Sequence, residues 1–203
     1  MAALEKVKTQ AAFLICLASL MSCCGGSPAA PTITAPPITV MPLALAGQSN
    51  ALFMRPSLEA QYSSVVGFAQ DGSKIAEWSA SGAYWAQLAP QLHQPLKAFI
   101  WWLGESDTTT PDYMNAEREF FSRVRLESNQ PNLLIVVCRV VDASVFAGVR
   151  AVQEAYVRSD PRSILVSSDG LEREHPNDLE GSAHLSRAGY DAMVLRILAA
   201  ISR

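Results

Sequence analysis

Short, continuous apolar runs alternate with helical stretches along most of this chain, and this alternation constrains the fold more than any other feature. The runs lie at residues 40–46, 65–69, 98–103, 133–141 and 164–167. Continuous apolar runs of this length are typical of strands buried on both faces. Strands separated by helices predict right-handed crossovers and a parallel sheet covered on both sides. We therefore expect an α/β fold.

Four stretches between and after these runs have the apolar spacing or the end signals of helices. The first covers residues 83–92. Thr110 followed by Pro111 predicts an N-cap and a first-turn proline that open a second helix through Val124. Residues 145–158 form the third, and Ser186 is the expected N-cap of the last helix, which reaches the C-terminus.

Composition excludes several classes of function. The chain has 203 residues, of which 49% are hydrophobic and 17% charged, as expected for one domain with a filled core. A net charge of −3 with no block of like charges does not favour nucleic acid or an anionic membrane surface. The three histidines lack a ligand spacing and no glycine-rich nucleotide loop is present, so we expect no metal and no cofactor.

The N-terminus has the layout of an export signal. Lys6 and Lys8 precede an apolar run over residues 11–21, which is too short to span a bilayer. We expect a signal peptide at residues 1–22, with Cys23 as the lipidated residue of a lipobox-like sequence or as the start of an unlipidated product. Residues 23–37 would be a tether rich in Pro, Thr and Ala, and residues 38–203 the domain. The alternative is a buried N-terminal helix.

This N-terminus predicts an exported protein, either periplasmic, extracellular or lipid-anchored to a bacterial membrane. Membrane contact would come only through Cys23. Cys138 lies in an apolar run and is expected to be a small buried side chain. We expect a monomer.

Residues with candidate chemical roles follow four of the five predicted strands. Ser49 follows the first, Gly72 the second and Glu105 the third, while His184 lies in the loop after the fifth. Because the carboxyl ends of parallel strands meet at one edge of a sheet, these residues should share that edge. A serine, a histidine and an acid form the nucleophile, base and orienting group that ester hydrolysis needs.

Ser49 is the candidate nucleophile, although a serine here can also be a plain helix N-cap. It lies where a strand turns into a helix, so backbone amides point toward it. The amides of Ser49 and Gly72 are the candidate oxyanion hole, because glycine leaves its amide accessible. Asn50 either braces the turn or adds a side-chain donor.

His184 is the candidate base, since it precedes the last helix and is flanked by small residues. His175 shares the same loop and is the competitor, whereas His93 is expected to be solvated. Glu105 is the first candidate for the acid that holds the imidazole. The alternative acids are Asp107, Asp169 and Asp178.

These residues lie in four ordered blocks. The blocks are Gly-Gln-Ser-Asn at 47–50, Gly-Ser-x-Ile-x-x-Trp at 72–78, Trp-Trp-x-Gly-Glu-Ser-Asp at 101–107 and His-Leu-Ser-x-x-Gly at 184–189. From about residue 40 to the C-terminus the chain resembles the sialate O-acetylesterase-like branch of the SGNH hydrolases, which includes the acetylxylan esterases of carbohydrate esterase family six.

The resemblance implies a compact α/β/α sandwich, for which we expect five parallel strands in the flavodoxin-like order 2-1-3-4-5. It implies hydrolysis of acetyl esters on sugars, with Ser49 as nucleophile, His184 as base and the Ser49 and Gly72 amides as oxyanion hole. An acetylated carbohydrate is then the expected partner.

Two positions depart from the family pattern. Many relatives have an aspartate three residues before the histidine, where this chain has Gly181. This absence favours Glu105 as the acid of the triad. Relatives usually have glutamine where Leu103 stands, and leucine cannot donate a hydrogen bond to an oxyanion. Loss of one such donor typically costs on the order of 100-fold in rate.

Gln48 and Trp78 are the candidate contacts with substrate, whereas Trp85 and at least one of Trp101 and Trp102 are expected in the core. Two other functions stay open. One is an esterase or thioesterase of the same fold that acts on lipidic acyl groups. The other is a catalytically weakened carbohydrate-binding relative, which the two departures would explain.

Overall fold

A five-stranded parallel sheet forms the centre of the molecule. The computed structural model describes residues 40–175 and 183–203. The strands are β1 (Leu43–Gly47), β2 (Val65–Val66), β3 (Ala98–Trp102), β4 (Ile135–Cys138) and β5 (Ser163–Val166). Their order is β2-β1-β3-β4-β5, and every neighbouring pair is parallel. The predicted fold class and strand order are confirmed.

The strand lengths follow from burial and from one glycine. Every residue of β1, β3 and β4 is buried, as their continuous apolar sequences predict. β2 is shorter than the predicted run over residues 65–69, because Gly67 has a φ of +111° and lies against the backbone of Leu45. The chain then pairs again through a bridge between Ala69 and Gly47.

Within the described residues, five α-helices cover the sheet. They are α1 (Ser49–Gln61), α2 (Trp85–Leu88), α3 (Tyr113–Glu127), α4 (Ala147–Ser159) and α5 (Arg187–Ile201). Helix α1 packs on α5, and α3 packs on α4. Two helical layers around one parallel sheet give the three-layer α/β arrangement expected from the sequence.

The helix ends differ from the prediction at two places. Helix α3 begins at Tyr113, after Asp112 in a left-handed conformation with a φ of 55°, because the Thr110 hydroxyl donates to Asp107 Oδ1 at 2.6 Å instead of capping a helix. The predicted helix over residues 83–92 is α2 followed by a 3-10 turn over Ala89–Leu92, where Pro90 has no N–H to continue an α-helix.

The N-cap of α5 is as predicted. The Ser186 hydroxyl oxygen accepts a hydrogen bond from the Gly189 amide at 3.1 Å. An N-cap serine satisfies one of the amide groups that the first turn of a helix leaves without an intrahelical acceptor. This cap fixes the start of α5 at Arg187, three residues after His184.

Aromatic side chains fill the space between β3 and the helices. Trp101 stacks near Phe120 with ring centroids 4.3 Å apart, and Trp102 is fully buried. Trp85 and Cys138 are buried as well. The predictions of core positions for Trp85, Cys138 and at least one of Trp101 and Trp102 are therefore confirmed, and the structure buries both tryptophans of that pair.

The predicted signal peptide at 1–22 and tether at 23–37, with the possible lipidation site Cys23, lie outside the described residues, and the domain start at residue 38 stays a prediction. Within residues 40–175 and 183–203, no helix combines the length and the apolar character needed to cross a bilayer.

Candidate active site

Ser49 and His184 meet at the carboxyl edge of the sheet. Ser49 is the first residue of α1, and His184 lies just before the cap of α5. The distance from His184 Nε2 to Ser49 Oγ is 2.9 Å. An imidazole nitrogen within hydrogen-bond reach of a serine hydroxyl is the arrangement in which the base takes the proton of the nucleophile. The two elements are brought together because α1 packs on α5.

Gly47 allows the turn from β1 into α1 to pack directly against the backbone of β3. Its φ is +140°, and a Cβ at this position would lie 1.9 Å from the carbonyl oxygen of Trp102. The next amide, that of Gln48, donates to the same oxygen at 2.9 Å. A side chain at residue 47 would therefore push the turn, and with it Ser49, away from β3.

Asn50 connects three segments of the site. Its Nδ2 donates to Glu105 Oε1 at 2.6 Å and to the Ala183 carbonyl at 2.7 Å, and its Oδ1 accepts from the Tyr190 hydroxyl at 2.8 Å. An amide nitrogen has two N–H groups, and both are used here. The prediction that Asn50 donates to an oxyanion is therefore corrected, and its alternative role as a brace matches these contacts.

The Glu105 carboxyl group accepts a hydrogen bond from Asn50 and not from the imidazole of His184. Its Oε1 accepts from Asn50 and from Trp102 Nε1 at 3.1 Å, while Oε2 is shielded from solvent and has no hydrogen-bond partner among the described residues. Burial raises the pKa of Glu105 to about 7, against the lowering effect of the Asn50 and Trp102 hydrogen bonds. The prediction that Glu105 is the direct acid partner of His184 is thus wrong for this structure.

Two of the alternative acids are also bonded elsewhere. The Asp107 carboxylate accepts from the Ile75 amide at 3.0 Å and from Thr110. The Asp169 carboxylate forms ion pairs with Arg139 and Arg150, and the hydrogen bond and charge of Arg150 lower its pKa although burial opposes this. These contacts make Asp107 and Asp169 loop-organising residues.

The fourth candidate acid, Asp178, lies outside the described residues, as does Gly181. His184 has an interaction beyond its contacts with Ser49 and Phe53. Asp178 stays a sequence-based candidate for the acid.

The backbone donors predicted for the oxyanion hole lie on neighbouring segments. The first intrahelical bond of α1 runs from the Leu52 amide to the Gln48 carbonyl, so the Ser49 amide has no acceptor within the helix. Gly72 is exposed on the loop after β2, and this loop is held to the end of β1 by the Gln70 amide, which donates to the Gly47 carbonyl at 2.9 Å. The Gly72 assignment stays a prediction.

Leu103 contributes no donor to the site. Its side chain is fully buried, and its carbonyl accepts from Tyr113 and Gln153. Residue 103 therefore cannot supply the side-chain donor that glutamine supplies in relatives.

The two predicted substrate contacts have other roles. Gln48 is 2% exposed, and its Oε1 accepts from the Ser106 amide at 3.4 Å, which links the loops after β1 and β3. Trp78 is 0% exposed, and its Nε1 donates to Ser73 Oγ at 3.1 Å. The prediction for Trp78 is wrong because its ring packs in the aromatic core, and substrate contact by Gln48 stays a prediction without support from its contacts.

Sequence reasoning missed Phe53 and Tyr190. The Phe53 ring lies edge-on to the His184 ring with centroids 5.1 Å apart, and Tyr190 bonds Asn50. Phe53 is detectable from its position one helical turn after Ser49, which places both on one face of α1. Tyr190 gives no such signal, because its partner is 140 residues away in the chain.

No group of three or more histidine, cysteine, aspartate or glutamate side chains is placed to hold a metal ion in the described part of the chain.

Comparisons with known proteins agree with this architecture. A family model described as carbohydrate esterase, sialic acid-specific acetylesterase, matches residues 46–201. No curated protein sequence is significantly similar. A protein from Arabidopsis thaliana superimposes with a TM-score of 0.58 at 20% identity, covering 76% of this chain and 68% of that chain.

Two solved carbohydrate esterases share the fold. A carbohydrate acetylesterase from Xanthomonas citri gives a TM-score of 0.53 at 17% identity and covers 75% of this chain but 40% of its own. An active-site mutant of a family two carbohydrate esterase from Clostridium thermocellum gives 0.60 at 14% identity, covering 84% and 65%. The family match spans more than half of the chain and the strand order is that of SGNH hydrolases, so this chain belongs to the sialic acid-specific acetylesterase family of carbohydrate esterases.

Proposed function

We propose that this protein is a serine esterase that hydrolyses O-acetyl esters on carbohydrates. The observation that carries the proposal is the 2.9 Å contact between Ser49 Oγ and His184 Nε2 at the carboxyl edge of the sheet. The family to which the chain belongs consists of carbohydrate esterases. The chain spans about two fifths of the length of the Xanthomonas acetylesterase.

The reaction would proceed in two halves. Ser49 Oγ attacks the acetyl carbonyl carbon while its proton moves to His184 Nε2, and the resulting tetrahedral oxyanion accepts hydrogen bonds from backbone amides. The C–O bond to the sugar breaks, and the sugar oxygen takes the proton from His184. Water then attacks the acetyl-enzyme, with His184 again accepting and returning the proton, and acetate leaves.

His184 needs an acid at its other ring nitrogen to keep Nε2 free to accept a proton. Among the four candidates, Glu105, Asp107 and Asp169 have other partners. We therefore assign this role to Asp178. Asp178→Asn should lower kcat by on the order of 10⁴-fold, because the imidazole would be held in the wrong tautomer. Activity within tenfold of the unsubstituted protein would remove Asp178 from the mechanism.

Acetate release from a substrate panel tests the proposed function. The panel contains acetylated xylan, O-acetylated sialic acid, O-acetylated peptidoglycan fragments and p-nitrophenyl esters of acetate and octanoate. We expect acetate from at least one acetylated carbohydrate and none above background with Ser49→Ala. Equal release by the two proteins would refute the proposal.

The octanoate ester in this panel separates the proposal from a lipidic esterase. Phe53 is an exposed apolar side chain on α1, and its ring contacts that of His184. An acyl chain could pack on such a surface, which is the observation in favour of this second function. Faster turnover of octanoate than of acetate would show that the enzyme acts on lipidic acyl groups.

A further inference from the structure

A pocket of about 530 Å³ opens beside His184. Its walls come from α1, from residues 172–174 and from the start of α5. Its side chains outside the proposed reaction include Phe53, Glu172, Arg173, Glu174 and Arg187. His184 lines the pocket and Ser49 does not, so a group bound there would lie beside the imidazole of the reacting pair.

Phe53 gives this pocket an apolar surface. The side chain is 42% exposed, and its ring meets the His184 ring edge-on at an interplanar angle of 83°. It also lies edge-on to Tyr190 at a centroid distance of 6.4 Å. Because burial of a phenyl ring is favourable, a ligand that covers the free part of this ring gains binding energy.

The charged side chains around the pocket are unequally neutralised. Arg187 forms an ion pair with Asp191 at 3.2 Å, and Arg173 donates to the Asp142 carbonyl. Glu172 and Glu174 are exposed and have no ion pair within the described residues. The Asp142 carbonyl is neutral, so Arg173 keeps its positive charge and the pocket has two carboxylates against one guanidinium without an ion pair in the described part of the chain. The carboxylates accept hydrogen bonds from hydroxyl groups, and the net negative charge of the pocket disfavours an anionic ligand.

We propose that this pocket binds the ring of an uncharged acetylated sugar, with Phe53 against the apolar face of the ring and Glu172 and Glu174 as acceptors for its hydroxyl groups. The inference rests on the proposed function and narrows its substrate class. Sialic acid carries a carboxylate, so the proposal sets this chain apart from the specificity that the family description names.

Turnover of three esters tests the proposal: an acetylated methyl xyloside, O-acetylated sialic acid and ethyl acetate, which has no ring. We expect the xyloside to have the highest kcat/KM. Phe53→Ala should lower kcat/KM for the xyloside about tenfold more than for ethyl acetate, mainly through KM, because the lost contact is with the ring. Phe53→Trp should retain the preference.

Leu52→Ala is the matched control, since Leu52 is the adjacent exposed apolar residue on α1 and does not line the pocket. It should leave all three esters unchanged. The double variant Glu172→Gln/Glu174→Gln should raise the kcat/KM ratio of the sialic acid ester to the xyloside. A wild-type preference for the sialic acid ester, or an equal loss on all esters in Phe53→Ala, would overturn the proposal.

Calorimetry separates failure of this inference from failure of the proposed function. Ser49→Ala protein should bind acetylated xylo-oligosaccharide, and Phe53→Ala in that background should weaken the binding about tenfold. Neutral-sugar binding with no turnover of any ester by unsubstituted protein would refute the esterase and keep the pocket assignment. Binding that is unaffected by Phe53→Ala would refute the pocket assignment alone.

Discussion

Asn50 shows how a single side chain can organise the site. All side-chain hydrogen-bonding groups of Asn50 except one Oδ1 lone pair have protein partners, in the loop after β3, on the segment before His184 and on α5. The sequence indicated that Asn50 is close to the nucleophile, because the two are adjacent. It could not show which partners the amide has, since they lie 55, 133 and 140 residues away.

The contacts of Glu105 predict a mild effect of a conservative substitution. Glu105→Gln keeps an oxygen that accepts from Asn50, so we expect kcat for p-nitrophenyl acetate to fall less than about tenfold. Glu105→Ala removes that acceptor and frees Asn50 to shift, which should cost on the order of 100-fold. Steady-state kinetics on both variants distinguishes a positioning residue from a triad acid.

A triad acid at residue 105 would give a different pattern. Glu105→Gln would then lose on the order of 10⁴-fold, as loss of the acid does in serine hydrolases. If Glu105→Gln shows such a loss while circular dichroism shows a folded protein, Glu105 does not act by positioning Asn50.

At the scale of elements, the sequence predicts strands better than helix starts. The positions of β1, β3 and β4 follow from apolar runs that are buried on both faces. The start of α3 could not be predicted from Thr110, because the Thr110 hydroxyl has a stronger local partner in the Asp107 carboxylate. Whether the Thr110 hydroxyl caps a helix or bonds Asp107 depends on the conformation of the loop after β3, which is determined by tertiary contacts.

Helix α3 is tied to the sheet by a buried ion pair. Arg125 Nη1 lies 2.7 Å from Asp160 Oδ2, and both side chains are 9% exposed. The same guanidinium donates to the carbonyls of Leu133 and Arg162, which flank β4 and β5. Arg125 therefore joins α3 to the starts of two strands.

Removal of one partner should be costly. Asp160→Ala leaves a buried guanidinium without its carboxylate, and we expect the free energy of unfolding to fall by about 3–5 kcal/mol. The control is Arg158→Ala, which removes an exposed ion pair with Glu154 and should cost less than about 1 kcal/mol. Urea unfolding of both variants measures the difference, and equal losses would contradict the buried ion pair as a tie between α3 and the sheet.

At the scale of the whole molecule, the sequence placed Ser49, Gly72, Glu105 and His184 at one edge of a parallel sheet because strand topology determines where strand ends meet. Whether a side chain near that edge is buried or exposed depends on packing. Trp78 follows β2 near the edge, yet its ring lies 5.3 Å from that of Trp101 in the core. A rim position in sequence therefore does not determine whether an aromatic residue is exposed.

A buried carboxyl makes the stability of the molecule depend on pH. Glu117 on α3 is fully buried, and burial raises its pKa to about 8, although a hydrogen bond from Tyr113 lowers it. The folded state thus holds a proton that the unfolded state releases near pH 4.5. The stabilisation is complete below pH 4.5 and is lost as pH rises toward 8, by at most about 1.4 kcal/mol per pH unit.

Urea unfolding at pH 5 and pH 8 checks this expectation. Wild-type protein should be less stable at pH 8, and Glu105 contributes in the same direction because its pKa is also raised. Glu117→Gln should reduce the difference between the two pH values, while Glu119→Gln, an exposed carboxylate on the same helix, should not. A Glu117→Gln protein with the full wild-type pH dependence would contradict a protonated Glu117.

The proximity of Ser49 and His184 is the central claim, and labelling with a fluorophosphonate tests it most directly. This reagent forms a covalent adduct with a serine that an adjacent base activates. We predict one adduct, located on Ser49 by peptide mass spectrometry, and its loss in His184→Ala. A folded protein that forms no adduct, or that labels equally in His184→Ala, would contradict the account.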